Sequence, residues 1–196
     1  AYSGRGPIEA ESIDLNQLVE DMLPVVRTNV SRKIEFRLMA GANMPPLLGN
    51  PAQLQQVVMN LCLNAGEAMG DEAGDVVLTT HSAYLERPDF AGYLVPGELR
   101  PGPTLLLDVA DSGCGMTEDT LDRMFDPFFS TKRPGRGLGL AAVYGIVRNH
   151  DAGLMVTSEP GVGTTVRIAI PAMDASESLA NEAHLALPTG DETILF

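Results

Sequence analysis

Residues 53–69, QLQQVVMNLCLNAGEAM, set the expectation for the fold. Their apolar members recur at helical spacing and need a core beneath them: Leu54, Val57, Val58, Leu61, Ala65 and Ala68. A row of amides and one carboxylate follows the same period along the flank: Gln53, Gln56, Asn60, Asn64 and Glu67. A buried amide without a partner costs roughly 1–3 kcal/mol. We therefore expect this row to face water, a ligand or a metal ion, although an amphipathic helix with a solvated edge gives the same pattern.

The composition limits the classes of protein that this chain can represent. With 196 residues, 44% of them hydrophobic, it can bury one sizeable core. The formal charge of −13 argues against a broad nucleic-acid surface, although one local pocket can still bind a nucleotide. There is neither a run of about 18 apolar residues nor a signal-peptide pattern, so we expect a cytoplasmic protein without direct membrane contact. Cys62 and Cys114 are expected to be reduced and structural.

Hydrophobic periodicity predicts further helices on either side of this stretch. The first follows Asp14, which is expected to cap it together with Gln17, and Pro24 is expected to kink or end it. Its apolar side is formed by Leu15, Leu18, Val19, Met22, Val25 and Val26. A short helix is predicted over residues 118–125 and a longer one over residues 140–149.

Strands are predicted from alternation or from unbroken apolar runs. They cover residues 34–38, 76–79, 104–110, 154–158 and 165–170. The run 104–110, TLLLDVA, is nearly all apolar and is expected to be central in a sheet. Residues 85–103 are interpreted as a loop that extends the two flanking strands. Because helices and strands do not alternate regularly, the order favours an α+β fold, a two-layer α/β sandwich with a mixed sheet and helices on one face.

The motif at residues 111–116, DSGCGM, directly follows the predicted central strand. A carboxylate at the end of a buried strand can accept a hydrogen bond from an exocyclic amine, which makes Asp111 a candidate binding residue. Gly113 and Gly115 allow the backbone to approach a flat ring closely. Taken alone, the motif is also compatible with a hairpin or a calcium-type loop.

A phenylalanine-rich segment follows at residues 125–132, FDPFFSTK. Periodicity does not place its three phenylalanines in the main core. We therefore expect the segment to close over a ligand or to dock against another surface. A small satellite cluster beneath a long loop is the alternative.

Residues 135–140, GRGLGL, come immediately before a predicted helix. Glycines at a helix N-terminus can cradle phosphate oxygens with backbone N–H groups, and Lys132 lies just upstream as a positive charge. The chain contains neither a GxxxxGK[ST] loop nor the strand-linked dinucleotide fingerprint. Residues 161–165, GVGTT, are by themselves an ordinary hairpin turn.

In this order, the motifs resemble the catalytic ATP-binding domain of sensor histidine kinases. That family calls them the N, G1, F, G2 and G3 boxes, and the resemblance covers about residues 14–171. It implies a Bergerat-type fold with a mixed, mostly antiparallel sheet, and ATP and Mg²⁺ as cofactors. It also implies transfer of the ATP γ-phosphoryl group to a histidine.

The resemblance assigns the catalytic positions. Asn64 matches the asparagine whose side-chain oxygen binds Mg²⁺, and such an oxygen suits a hard cation. Asn60 lies one turn earlier, at the phosphate end. Lys132 resembles the lid lysine that meets the phosphates. The glycine run after it is shorter than the GxGTGLGL of many members, which leaves open the pairing of amides with phosphates.

The resemblance also assigns the residues around the base. Asp111 matches the aspartate that accepts the adenine amino group, and Thr164 or Thr165 is expected to support it through a water. The other expected nucleotide-binding residues are Gly113, Gly115, Gly135, Gly137, Leu138 and Gly139.

Asn60 separates two activities that this superfamily supports. Related gyrase, mismatch-repair and chaperone ATPases hold a glutamate at that place to activate water. An amide is not a general base, so phosphoryl transfer is expected rather than hydrolysis. A gyrase- or chaperone-like ATPase module is the alternative. A third interpretation, a scaffold that binds no nucleotide, is opposed by Asn64, Asp111 and Lys132.

The phosphate acceptor is expected outside this chain. None of His81, His150 and His184 lies in the apolar helical context that the family uses. The acceptor histidine is therefore expected on a dimerisation domain, with Phe125 and Phe128 docking onto its helices.

Three segments are predicted along the chain. Residues 1–12 are expected to connect to the missing dimerisation domain, and residues 13–172 to form the catalytic domain. Residues 173–196 are expected to be a linker and the start of a receiver domain, because the final GDETILF resembles its first strand, as in hybrid kinases. A short tail strand or simple disorder is the alternative. A response regulator or a fused receiver domain is the expected downstream partner.

Overall fold

The computed structural model describes residues 10–94, 99–129 and 138–173. Within these ranges the helices are α1 (Leu15–Asn29), α2 (Pro51–Ala68), α3 (Glu118–Arg123) and α4 (Gly139–Asn149). The strands are β1 (Glu11–Ile13), β2 (Ile34–Met39), β3 (Leu47–Gly49), β4 (Gly74–Leu85), β5 (Gly102–Asp111), β6 (Gly153–Glu159) and β7 (Gly163–Pro171). None of the helices in this described part combines the length and the apolar character needed to span a bilayer.

The main sheet has five strands in the order β2-β4-β5-β7-β6. β2 pairs with β4 in parallel, and the other neighbouring strands pair antiparallel. β5 is central, as its unbroken apolar run predicts. β1 and β3 form a separate two-stranded antiparallel sheet. The predicted two-layer sandwich with a mixed, mostly antiparallel sheet is therefore confirmed.

The core lies between the main sheet and helices α1, α2 and α4. Leu105, Leu107 and Val109 alternate along β5 toward the helices and are at most 2% exposed. Most of the predicted apolar side of α2 is buried: Leu54, Val57, Val58, Leu61 and Ala65. Each buried leucine or valine contributes roughly 1.5–3 kcal/mol to stability. This packing fixes the rotation of α2 and hence the position of the amide row on its flank.

The insertion between β4 and β5 covers part of the opposite face of the sheet. A second, smaller apolar cluster forms there from Leu85, Leu99, Leu106 and Ala169. Phe90, in a turn of 3₁₀ helix (Arg87–Phe90), and Tyr93 pack against this cluster. β4 and β5 remain paired as far as Leu85 and Gly102, so the insertion extends the flanking strands as predicted.

α1 corrects two expectations about its sequence. Pro24 does not end the helix, which continues to Asn29 with Leu23 and Val26, on either side of the proline, buried in the core. A kink at Pro24 stays a prediction. Val25, predicted on the apolar side, is 47% exposed. Its carbonyl oxygen instead accepts hydrogen bonds from the side chains of the last helical turn.

The start of α1 is capped as predicted, but not by a capping box. Asp14 Oδ1 accepts hydrogen bonds from the backbone N–H groups of Asn16 and Gln17. The side chain of Gln17 donates to Asp21, one turn further along, and does not return to the cap. The carboxylate therefore satisfies the first free N–H groups of the helix.

The small sheet lies where the sequence predicts only connector and loop. β1 begins at Glu11, inside the predicted connector 1–12, and pairs with β3 in the proline-rich segment before α2. Three-residue strands have too few positions for alternation to identify them. Residues 1–9 and 174–196 lie outside the described residues, so the connector and the receiver start stay predictions.

Candidate functional site

A cavity of about 140 Å³ opens between α2, the end of β5 and the segment that follows it. Cavities of roughly 150 Å³ can hold a benzene ring. Its walls are mostly apolar: Leu61, Val109, Met116, Met124, Phe129, Leu140 and Val166. Its polar members include Asn64, Glu67, Asp111, Thr120 and Thr164. Size and lining suit a flat ring held by a few polar groups.

Asp111 is the last residue of β5 and stands at the polar end of the cavity. Its Oδ1 accepts hydrogen bonds from Gly113 N at 2.9 Å and from Thr164 N at 3.3 Å. Thr164 therefore supports the carboxylate directly through its backbone N–H, and the expected water-mediated contact stays a prediction. The two contacts fix the carboxylate before any ligand arrives.

The glycines of the loop after β5 are required by contacts within the protein. A Cβ on Gly113 would lie 2.6 Å from the Cβ of Ala68, at the end of α2. Gly115 has φ +63°, and a Cβ there would lie 2.0 Å from the carbonyl oxygen of Glu159. Glycine thus lets the loop pack between α2 and the β6–β7 hairpin. Gly115 also lines the cavity.

The amides of α2 contribute differently to the site. Asn60 Nδ2 donates to the carbonyl oxygen of Gly139 at 3.2 Å and so joins α2 to the start of α4. Asn64 lines the cavity, and its Nδ2 is buried without a hydrogen-bond partner in the structure. A buried amide left in this way is costly. A ligand acceptor would satisfy this nitrogen, or, with the amide turned over, a cation would bind at the side-chain oxygen.

The described residues offer few protein ligands for a metal ion. No group of three or more His, Cys, Asp or Glu side chains able to hold a metal occurs among the described residues. Mg²⁺, however, needs few protein ligands when phosphates and waters complete its shell. The Asn64 oxygen fits a cation held mainly by a phosphorylated ligand.

α4 begins at Gly139 beside these amides. A Cβ on Gly139 would lie 3.8 Å from Asn64 Oδ1. Its N-cap residue, Leu138, forms no side-chain capping hydrogen bond. Within the described residues, the first N–H groups of this helix thus receive no side-chain cap from its N-cap residue and favour an anion. Lys132, Gly135 and Gly137, assigned to the phosphates from the sequence, lie outside the described residues.

The three phenylalanines after α3 have three different environments. Phe125 packs against the main core, with its ring 5.6 Å from that of Tyr144 on α4, so the expectation that it lies outside the core is wrong. Phe129 lines the cavity, and the guanidinium of Arg123 lies 4.5 Å from its ring centre. Phe128 has φ +67° and is 78% exposed. Only Phe128 presents most of its surface to solvent.

Ser158 is a residue of the site that sequence reasoning missed. Its Oγ contacts Met116 N at 2.8 Å, Gly163 O at 3.0 Å and Thr164 Oγ1 at 2.8 Å. The alternation of β6 places Ser158 on the same face as the core residue Leu154. A polar residue on the core face of a strand is the signal that could have indicated it.

His150 has a structural position, as predicted. Its Nε2 accepts a hydrogen bond from Asn50 N at 3.1 Å, and its Nδ1 lies 2.9 Å from the carbonyl oxygen of Ile146. A carbonyl only accepts, so Nδ1 carries the proton. Asn50 is the N-cap of α2, so His150 joins the end of α4 to the start of α2. His81 is half-buried on β4, and His184 lies outside the described residues.

Five of the residues assigned from the sequence line one cavity: Asn64, Asp111, Gly115, Gly139 and Thr164. A family model described as "Histidine kinase-, DNA gyrase B-, and HSP90-like ATPase" matches residues 49–174, more than half of the chain. The chain belongs to this ATPase family. The predicted family is confirmed, and the ATP-binding domain includes α2, Asp111 and Thr164.

Curated relatives indicate the branch of this family. The sensor kinase CckA of Brucella abortus is 33% identical over 188 residues, which cover 95% of this chain and 19% of CckA. NtrB of Azospirillum brasilense is 31% identical over 93% of this chain and 44% of NtrB. ZraS of Escherichia coli K12 is 34% identical over 82% of this chain and 31% of ZraS. The chain thus spans less than half of each relative, and all three are sensor kinases. They support the histidine kinase type over the gyrase- or chaperone-like alternative.

Solved structures agree on the fold of this ATPase domain. Full-length ShkA, in complex with AMPPNP, matches with a TM-score of 0.68 and 25% identity over 86% of this chain and 32% of ShkA. The catalytic domain of the histidine kinase ThkA matches with a TM-score of 0.66 and 24% identity, over 84% of this chain and 96% of that domain.

Proposed function

We propose that this ATP-binding domain uses Mg²⁺-ATP to phosphorylate a histidine on a separate dimerisation domain. One observation carries the proposal. A single cavity joins the fixed carboxylate of Asp111 to the unpartnered amide of Asn64, beside the start of α4, which its N-cap residue Leu138 does not cap through a side chain. The first group suits an amino-substituted ring, and the other two suit a phosphorylated chain with its cation.

Asp111 binds the adenine amino group in this proposal. Its Oδ1 is held by two backbone N–H groups, so little reorganisation is needed when the base enters. The apolar walls, including Val109 and Val166, pack on the faces of the ring. The complex of ShkA with AMPPNP supports an adenine nucleotide as the ligand class.

The phosphates lie at the α4 end of the cavity. The N–H groups at the start of α4 bind phosphate oxygens, together with Lys132 and the glycines at 135 and 137. Asn64 presents its side-chain oxygen to the cation. When bound, Mg²⁺ neutralises the charge on the phosphates and holds them in one orientation.

The reaction proposed is transfer and not hydrolysis. The bond between the γ-phosphorus and the bridging oxygen of ADP breaks, while a bond forms from that phosphorus to an imidazole nitrogen of the acceptor. Asn60 occupies the place where hydrolytic members of the superfamily have a glutamate, and its Nδ2 is engaged with Gly139. An amide does not activate water as a general base does.

Partners follow from the sensor kinase relatives. We infer a dimerisation domain that carries the acceptor histidine, and a response regulator or fused receiver domain that takes the phosphoryl group onward. Phe128, 78% exposed, is the contact proposed for the dimerisation helices, with Phe125 supporting it from within. A cytoplasmic setting is proposed because the ATP supply is there.

The test combines the domain with a separately prepared dimerisation helix pair from a sensor kinase. With γ-labelled ATP and Mg²⁺, label is expected on the helix pair and not on the domain alone. Asp111→Asn and omission of the helix pair are the controls. ATP hydrolysis at an equal rate with and without the helices would instead support the ATPase-module alternative, and absence of ATP binding would overturn the proposal.

A further inference from the structure

Ser158 stands behind the polar end of the cavity and joins two segments that line it. Its Oγ is 2.8 Å from the backbone nitrogen of Met116, in the loop after β5. It is also 3.0 Å from the carbonyl oxygen of Gly163 and 2.8 Å from Thr164 Oγ1, both at the start of β7. Met116 and Thr164 line the cavity.

The three contacts determine where the hydroxyl protons lie. A serine hydroxyl has one proton and two acceptor lone pairs. The N–H of Met116 can only donate and the carbonyl of Gly163 can only accept, so Ser158 gives its proton to Gly163. The third contact is a hydrogen bond only if Thr164 donates its own proton to Ser158. This is the one arrangement in which all three contacts are hydrogen bonds.

This arrangement of protons determines which hydrogen bonds Thr164 can offer to a ligand in the cavity. Because its proton is committed to Ser158, the Thr164 oxygen offers only lone pairs to a ligand. Thr164 is 8% exposed, and its backbone N–H contacts the Asp111 carboxylate, which as an ion also only accepts. At this end of the cavity, the side chains of Thr164 and Asp111 therefore accept hydrogen bonds from a ligand and donate none.

We propose that Ser158 is a positioning residue for purine selectivity, which holds Thr164 as an acceptor so that the site prefers an amino-substituted purine to a 6-oxopurine. The inference rests on the proposed function, because it assumes that the base of the nucleotide occupies this cavity. An amino group at ring position 6 donates to the acceptors, whereas an oxygen there meets lone pairs and leaves them unpaired. A site whose polar groups stay unpaired with one base binds that base more weakly and so discriminates between the two bases.

The test compares ADP with inosine diphosphate, which carries oxygen in place of the 6-amino group. Affinities are measured by calorimetry in Mg²⁺ for the parent chain and for Ser158→Ala. Without Ser158, the Thr164 hydroxyl can turn and donate into the cavity. The ratio of ADP affinity to inosine diphosphate affinity is expected to fall about three- to tenfold, the worth of one neutral hydrogen bond.

Thr157→Ala is the matched control, since Thr157 is the exposed neighbour on β6 and alternates to the opposite face. It should keep the parent ratio, and so should Ser158→Thr, which retains the hydroxyl. A Ser158→Ala variant that weakens both nucleotides equally, or neither, would overturn the proposal, because a purely structural role does not distinguish the two bases.

A second variant keeps the test decisive if Ser158→Ala does not fold. Thr164→Val removes the acceptor itself and is expected to lower the same ratio, so an unchanged ratio would overturn the inference. Where both variants fold, the double variant should lose no more selectivity than Thr164→Val alone, and additive losses would contradict the coupling. A parent chain that binds neither nucleotide would count against the proposed function.

Discussion

The ligand-binding role proposed for Asp111 can be tested separately from the hydrogen bonds that this residue accepts within the fold. Its Oδ1 is occupied by the backbone N–H groups of Gly113 and Thr164, and an asparagine oxygen can accept the same two contacts. The difference between the two side chains lies at the second atom, where an amide donates and a carboxylate accepts.

Asp111→Asn is therefore expected to reduce ADP affinity roughly ten- to hundredfold, the worth of a hydrogen bond to a charged group. The thermal midpoint should stay within a few degrees of the parent. Calorimetry and a melting curve measure the two quantities. Asp122→Asn, the same change at an exposed position of α3, is the control. Unchanged ADP affinity in Asp111→Asn would refute the assigned role.

Asn64 carries the prediction about the metal. Its Nδ2 is buried without a partner, and the side chain borders the start of α4. We expect ATP affinity to rise with Mg²⁺ in the parent chain and to lose most of that rise in Asn64→Ala. Titrations with Mg²⁺ and with a chelator give the comparison, and Gln56→Ala, an exposed amide on the same helix, is the control. An equal response to Mg²⁺ in both variants would show that Asn64 is not the ligand.

At the scale of elements, both ends of α4 are joined to α2. Asn60 contacts the start of α4, and His150, directly after α4, accepts a hydrogen bond from Asn50, the N-cap of α2. The position of the amide row therefore depends on two polar contacts as well as on the core. A change in either contact should shift the two helices together.

His150→Ala is expected to lower the free energy of unfolding by about 1–3 kcal/mol, because it leaves the N–H of Asn50 without its acceptor. Urea denaturation measures this difference. His81→Ala, at a half-buried position on β4, serves as the comparison and should cost less. If the two variants are equally stable, the contact between His150 and α2 contributes little to the fold.

Cys62, in the middle of α2, makes the free energy of unfolding sensitive to pH in the alkaline range. Burial raises the pKa of its thiol from 9.0 to about 12. Between these values the unfolded chain releases the proton while the folded chain keeps it, so the free energy of unfolding falls as pH rises, by at most about 1.4 kcal/mol per pH unit. Below pH 9 this contribution to stability is fully present.

Unfolding curves at pH 8 and pH 10.5 should therefore differ less in Cys62→Ala than in the parent chain. Cys114→Ala removes an exposed thiol and is the matched control. The same loss of stability between the two pH values in the parent and in Cys62→Ala would contradict a buried, protonated Cys62.

How far the sequence predicts these elements depends on their length and on the range of their contacts. α2 and β5 have enough positions for periodicity to identify them, and Asn64 and Asp111, which the motifs indicated, line one cavity. The strands β1 and β3, three residues each, carry no readable period. Ser158 meets Met116 across 42 positions, a contact that only the folded chain defines.

At the scale of the whole molecule, Phe128 is the residue of the phenylalanine-rich segment whose ring faces solvent. Phe125 and Phe129 are turned toward the core and the cavity, while Phe128 is 78% exposed. Exposing an aromatic ring to water forgoes the free energy of burial, and in the proposed function an acceptor histidine has to reach the phosphate end of the cavity from outside. A docking role for Phe128 would explain the exposed ring and fit the proposed transfer.

Phe128→Ala is expected to lower phosphorylation of a separately prepared dimerisation helix pair at least fivefold at limiting helix concentration, because a docked aromatic side chain is a common interface hot spot. ATP affinity should stay at the parent value, since Phe128 is not among the residues that line the cavity. Tyr84→Ala removes another exposed aromatic ring, 67% accessible, and should leave transfer unchanged. Equal transfer by Phe128→Ala and Tyr84→Ala would place the docking surface elsewhere. A parallel loss of ATP affinity in Phe128→Ala would show that the residue acts on the nucleotide site instead.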